Sequence, residues 1–168
     1  ASTTTALALG DALAVALLDA KGFGADDFAR SHPGGALGRR LLTHVRDVMR
    51  TGDDVPSVPE TAGFSEALLE MSKKRMGMTA VLDAAGRVSG VFTDGDLRRT
   101  LAQVNDIKAA RIVDIMTRDP RTIGPDRLAV EAVQIMEERK VNQLLVVSSE
   151  GKLVGALNMH DLFRAKVI

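Results

Sequence analysis

The chain has 168 residues, with 22 basic and 22 acidic side chains; 45% of it is hydrophobic and 26% charged. That balance suits one compact soluble domain or two small repeated units, and it supplies no global field to draw nucleic acid or an anionic membrane. With no Trp, Tyr or Cys, the composition argues against a base-stacking platform and excludes disulfides and thiolate metal sites.

From the N-terminus, residues 6–21 are predicted to form an Ala/Leu-rich helix. Leu9, Leu13, Ala16, Leu17 and Ala20 recur at the 3–4 spacing of one helical face. Ser2–Thr5 can supply the N-cap and Gly22 the C-cap. The longest uninterrupted apolar run, residues 12–18, falls short of the roughly 20 residues of a membrane span. The opening "ASTTT" has neither a basic leader region nor a Met. These features lead us to expect a cut or processed piece of a longer cytoplasmic protein. Next comes "SHPGGALGRRL", in which His32 precedes a Pro-Gly-Gly turn. By residue type alone His32 reads as a solvated or helix-flanking group. Gly34, Gly35 and Gly38 lack the Lys-Ser/Thr of a phosphate loop and read as tight-turn residues.

Beyond about residue 45 the chain repeats itself. Glu66 and Glu131, Met71 and Met136, Val81 and Val146, Gly86 and Gly151, Gly90 and Gly155, Asp96 and Asp161, and Arg99 and Arg164 each stand 65 residues apart. Each copy reads as a helix (Phe64, Leu68 and Met71; then Leu128, Ala132, Ile135 and Met136), two strands joined by a Gly-containing turn, and a closing helix beginning near Asp94 or Met159. Neither half can bury its apolar face alone, so the copies are expected to pack as one pseudo-twofold unit.

The openings Asp47-Val48-Met49 and Asp114-Ile115-Met116, with the endings "GVFTDGDLRR" from Gly90 and "GALNMHDLFR" from Gly155, resemble the CBS domain pair. The segments "GDALAVALL", "SHPGGALGRRLL" and "GVFTDGDLRR", in that order, are further similar to the C-terminal part of bacterial D-arabinose-5-phosphate isomerases, which carry a sugar isomerase (SIS) domain before a CBS pair. The resemblance implies an α/β (α+β) fold of tandem βαββα-type CBS repeats packed as a pseudo-twofold pair behind a short helical segment. It implies residues 1–44 as the SIS remnant, 45–102 as repeat 1 and 111–168 as repeat 2. It also implies interconversion of D-ribulose and D-arabinose 5-phosphates by the parent enzyme, on the way to Kdo, an eight-carbon sugar acid of lipopolysaccharide. His32 matches that family's active-site histidine. Without the earlier catalytic groups, these 168 residues are expected to be inactive alone.

Thr93-x-x-Asp96 and Asn158-x-x-Asp161 each have two readings. Each is a near capping box that starts a helix. In CBS pairs, the resemblance implies, the Thr and Asp of this motif also contact nucleotide ligands, with Asn158 departing from the Thr or Ser of the pattern. His160, beside the last helix start, and Thr79, expected to face the inter-repeat cleft, complete the candidate effector site. The scattered His32, His44 and His160 offer no metal-ligand spacing, and no cofactor is expected. The expected partners are a nucleotide or sugar nucleotide, with CMP-Kdo favoured over an adenine nucleotide, and further copies of the chain in a homodimer or homotetramer, with neither nucleic acid nor membrane. The competing expectations are a residual enzyme and a purely structural assembly module.

Overall fold

The computed structural model describes residues 2–24, 27, 42–103 and 106–168. They divide into two compact units, Ala1–Leu42 and Thr43–Ile168. In the first, helix α1 runs Ser2–Ala20. It starts earlier than the periodicity predicts, so Ser2–Thr5 lie within it and do not cap it. Ser and Thr are tolerated in a first turn, and the Ala/Leu run behind them carries the helix. Its C-terminal end is as expected: Gly22 takes φ 63°, and the N–H groups of Gly22 and Phe23 donate to the Asp19 and Leu18 carbonyls at 2.9 Å. By length and composition α1 could cross a membrane, although its longest uninterrupted apolar run is too short. Asp11 in mid-helix opposes that use, because a charge at a bilayer centre costs about 2.5–3.5 kcal/mol on insertion scales. His32 and the glycines around it lie outside the described residues.

The second unit follows the repeat closely. Copy one contains α2 (Val45–Val48), β1 (Ser57–Pro59), α3 (Phe64–Lys74), β2 (Met78–Leu82), β3 (Val88–Thr93) and α4 (Asp94–Gln103). Copy two contains α5 (Ile112–Ile115), β4 (Thr117–Arg118), β5 (Thr122–Ile123), α6 (Ala129–Arg139), β6 (Gln143–Val147), β7 (Leu153–Asn158) and α7 (Met159–Arg164). In the first sheet, ordered β1-β2-β3-β4, only β1–β2 is parallel. The second sheet is ordered β5-β6-β7, with β5–β6 parallel. Met78 opposite Thr93 corresponds to Gln143 opposite Asn158, and the strand irregularity at Val81/Leu82 recurs at Val146/Val147. Arg75 and Lys140, which end α3 and α6, share left-handed φ values of 53° and 54°. The repeat therefore extends to individual backbone angles.

The copies exchange their openings. Val45 N–H donates to the Arg127 carbonyl and Ala129 N–H to the Thr43 carbonyl, both at 2.8 Å. In mirror fashion Ile112 N–H donates to Ala62 and Phe64 N–H to Ala110. Val45, Val48 and Met49 thus pack in the copy-two core, and Ile112, Val113, Ile115 and Met116 in the copy-one core. β4 extends the copy-one sheet, while Arg50 bridges Ala156 on the copy-two sheet. A third cluster, containing Met78, Ala80, Val91, Leu145 and Ala156, joins the two sheets.

The opening carboxylates have local work. Asp47 accepts from His44 N–H at 2.8 Å and so caps α2. Asp114 takes the Arg111 guanidinium fork, which holds its carboxyl below the usual range. The Arg127 fork does the same for Glu131, aided by the Leu128 N–H. Both contributions are present above the ordinary carboxylate pKa and are lost as pH falls through the lowered folded values, below about pH 4.

The two motif glycines are required by the exchange. A Cβ on Gly90 would collide with the Met116 thioether, and one on Gly155 would stand 2.5 Å from Met49 Sδ and 2.8 Å from the Arg50 carbonyl oxygen. Each substitution to Ala should cost about 1–3 kcal/mol by overpacking, measured by urea unfolding. Met116→Ala should relieve Gly90→Ala, because the three atoms nearest the added Cβ all belong to that side chain. Met49→Ala should not fully relieve Gly155→Ala, because backbone remains. Additive double mutants at Gly90/Met116 would contradict this packing.

Candidate functional site

A cleft of ≈ 520 Å³ opens where the start of α4, the segment from Thr117 to Arg121 and the start of β6 converge. Strand alternation sets its floor. Met78 and Val91 come from the first sheet and Leu145 from the second, all buried. The rim carries Arg98, Arg99, Arg121 and Lys140, together with Asp94, Asp96 and Asp119. Arg99 is paired with Asp96, whereas Arg98, Arg121 and Lys140 form no ion pair with any described residue. Three uncommitted cations over an apolar floor suit a ligand with a flat apolar part and an anionic part.

Gly77, at φ 66°, closes one edge of the cleft. A Cβ there would stand 2.8 Å from Asp94 Oδ2 and 3.0 Å from Gln143 Nε2. The angle favours glycine, and a larger residue would also oblige the Asp94 and Gln143 side chains to shift.

Asp96 is 3% exposed and holds this corner together. Its Oδ2 accepts from Thr93 N–H at 2.8 Å and from Thr93 Oγ1 at 2.6 Å. Its Oδ1 accepts from Thr117 Oγ1 at 2.7 Å and from the Arg99 guanidinium. Asp96 N–H in turn donates to Thr93 Oγ1 at 3.2 Å. The capping reading of Thr93-x-x-Asp96 is therefore realised, with a cross-copy bond added to it. Four donors fill the carboxylate's acceptor sites. A ligand hydroxyl would reach it by displacing Arg99, whose side chain is 64% exposed and cheap to move.

The copy-two counterpart is built differently. Asn158 N–H donates to Asp161 Oδ2 at 3.2 Å, and Asn158 Oδ1 accepts from Asp161 N–H at 2.9 Å, so Asn158 caps α7 as Thr93 caps α4. Arg50 occupies the place of Thr117. Its Nε lies 3.1 Å from Asp161 Oδ2, its second fork nitrogen 3.2 Å from Oδ1, and its remaining nitrogen donates to the Lys74 carbonyl at 3.1 Å. His160 is exposed, next to Asp161 in α7. Thr79 is not at the cleft. It is fully buried, and its hydroxyl has no hydrogen-bond partner among the described residues. Met78 and Ala80 face the other sheet, so alternation turns Thr79 to the opposite face of β2. Among the described residues no His/Asp/Glu cluster has the makings of a metal site.

Sequence reading missed Thr117, Arg121, Lys140 and Arg50. One signal was available: the residue after each opening Met is Arg50 in one copy and Thr117 in the other, a difference between otherwise matched positions.

Residues 45–103 and 112–168 match the CBS domain family. The arabinose 5-phosphate isomerase KdsD of Pseudomonas aeruginosa is 53% identical over 99% of this chain and 51% of its own length. That of Escherichia coli is 50% identical with the same coverage. The chain thus spans about half the length of the curated relatives it matches. Among solved structures, a CBS domain protein from Pyrobaculum aerophilum complexed with AMP matches with a TM-score of 0.64 and 26% identity, over 71% of this chain and 89% of that one.

The saturated carboxylate of Asp96 makes its removal a stability event as well as a site event. Asp96→Ala should cost about 1.5–3 kcal/mol in urea unfolding, the range for hydrogen bonds to a charged group, which exceeds the loss of a cap alone. A loss under about 0.5 kcal/mol would show that the Thr117 and Arg99 contacts contribute nothing.

Proposed function

The chain belongs to the CBS domain family, with two copies forming a pair, and from this premise we propose that it is the effector-sensing portion of an arabinose 5-phosphate isomerase. In this reading residues 1–44 are the end of the SIS domain of a cytoplasmic enzyme, and His32 contributes to that domain's aldose–ketose chemistry. The pair does no catalysis. It binds a nucleotide-bearing anion and acts on the enzyme by binding one conformation better than another.

The observation that carries this reading is the cleft beside α4. Its apolar floor of Met78, Val91 and Leu145 is rimmed by Arg98, Arg121 and Lys140, which have no ion-pair partners among the described residues. Phosphate and carboxylate groups would meet the three cations. Ribose hydroxyls would reach Thr93 and Asp96, and the base would lie on the aliphatic floor. CMP-Kdo fits as effector because its sugar acid brings a carboxylate and hydroxyls and so relies less on base stacking. Kdo synthesis also begins with the isomerase reaction, which makes this activated sugar a feedback signal.

A second reading, an adenine nucleotide, is favoured by the Pyrobaculum aerophilum relative complexed with AMP. The module also associates with copies of itself in this proposal, as a homodimer or homotetramer, through faces that include the exposed Leu69 on α3 and Leu101 on α4.

A thermal melt separates these readings. A ligand specific for the folded state, at roughly 100 times its dissociation constant, stabilises by about 2.7 kcal/mol. CMP-Kdo should raise the melting temperature, and Arg121→Glu should abolish the rise. A rise with AMP alone would favour the adenylate reading. No rise with either, up to millimolar concentrations, would leave the assembly role as the function.

A further inference from the structure

We infer that the pair takes one effector per chain, because Arg50 is a built-in occupant of the second, pseudo-symmetric cleft. This rests on the sensing reading above and deepens it.

The residue after the opening Met differs between the two sites in size and charge. In copy one that position is Thr117, a short hydroxyl that donates one bond to Asp96 and leaves the space over Met78 and Leu145 open. In copy two it is Arg50, whose fork closes on Asp161 and whose remaining nitrogen reaches the Lys74 carbonyl at the end of α3. The guanidinium therefore spans from α7 to α3. Arg50 is 25% and Asp161 8% exposed at the side chain.

The loop after Arg50 supports the closure. Between the opening Asp and the helix Glu it is two residues longer than in copy two, 18 intervening residues (48–65) against 16 (115–130). The surplus is accommodated around the short 3-10 turn Gly52–Asp54, which Lys74 Nζ clips through the Asp53 carbonyl.

The cavity that remains beside Asp161 is a different one. It measures ≈ 580 Å³, and Arg50, Asp161 and Arg164 are in its wall along with Asp47 and Asp54. The counterparts of Met78, Val91, Thr93 and Gly95, namely Gln143, Ala156, Asn158 and His160, are not. Asp47, Asp54 and Asp161 outnumber its two arginines, and Arg50 is already committed to Asp161. At the first cleft Arg98, Arg121 and Lys140 have no ion pair and face Asp94 and Asp119, whereas at the second only Arg164 has none and it faces Asp47 and Asp54.

Exchanging the two residues tests this. Arg50→Thr gives Asp161 the environment that copy one already uses around Asp96, a Thr hydroxyl with a neighbouring arginine, and so should fold. Calorimetric titration of the 168-residue chain with AMP and with CMP-Kdo should show one bound molecule for whichever of them binds. Arg50→Thr should add a second, weaker event. Thr117→Arg should weaken the original event by about tenfold or more, by placing a fork over Asp96. Two molecules per wild-type chain, or a folded Arg50→Thr chain that still binds only one, would overturn the inference and leave the sensing reading standing. Should neither nucleotide bind the wild type, the sensing reading fails for both. Arg50→Thr then still decides, since gain of binding supports the occupied cleft and no gain refutes it. Arg50→Gln, which keeps a hydrogen-bonding group and loses the fork and charge, serves if the Thr variant does not fold. If neither variant folds, wild-type stoichiometry is the arbiter.

Discussion

Two thioethers seated on two glycines hold this pair together. Met49, from the opening of copy one, lies on Gly155 of copy two, and Met116, from the opening of copy two, lies on Gly90 of copy one. Neither contact can form inside a single copy. Each repeat is a small sheet with two helices, too little to bury its own apolar surface. Each completes its core with the partner's first turn, Val45 on one side and Ile112 on the other. A bare glycine and a flexible thioether are suited to such a contact, since Met fills irregular space and Gly admits it.

The same exchange makes the cleft. Because β4 pairs with β3, the residues after Met116 are laid across the start of α4, and Thr117 reaches Asp96. The cleft is thereby assembled from both copies, with the capping carboxylate, Met78, Val91 and Arg98 from copy one, and the Thr117 hydroxyl, Arg121, Lys140 and Leu145 from copy two. Duplication would have produced two equivalent clefts. Arg50 at the place of Thr117 and the longer loop close over Asp161, while Gln143, Asn158, His160 and Phe163 stand where the first cleft has Met78, Thr93, Gly95 and Arg98.

The larger elements were legible in the sequence because their periodicity is strong and doubled. The 3–4 pattern of Phe64, Leu68 and Met71 recurs in copy two, and the constant interval fixes helix starts at Asp94 and Met159 that the structure reproduces. The short pieces were not legible. β1, β4 and β5 have two or three residues each, too few for any alternation to register, and they exist because neighbouring strands offer them an edge. The exchange itself is a property of tertiary packing, and the openings Asp47-Val48-Met49 and Asp114-Ile115-Met116 carry no mark of which copy they will join. Thr79 was misplaced because a strand's two faces look alike when both are buried: Met78, Thr79, Ala80 and Val81 are all inaccessible. Arg121 and Lys140 escaped notice because their role depends on a cleft that the linear motif does not contain.

Methyl-resolved NMR of the methionine-labelled chain during titration with CMP-Kdo and AMP tests most directly whether a nucleotide anion sits on the floor shared by the two sheets, at the copy-one end, because Met78 lies in that floor while Met49 lies beside Arg50 and Gly155. The expected result is a saturable shift of the Met78 methyl with the bound nucleotide, and a Met49 methyl that stays where it was. A Met49 methyl that moves while Met78 does not, or a Met78 methyl unmoved by either nucleotide, would contradict it.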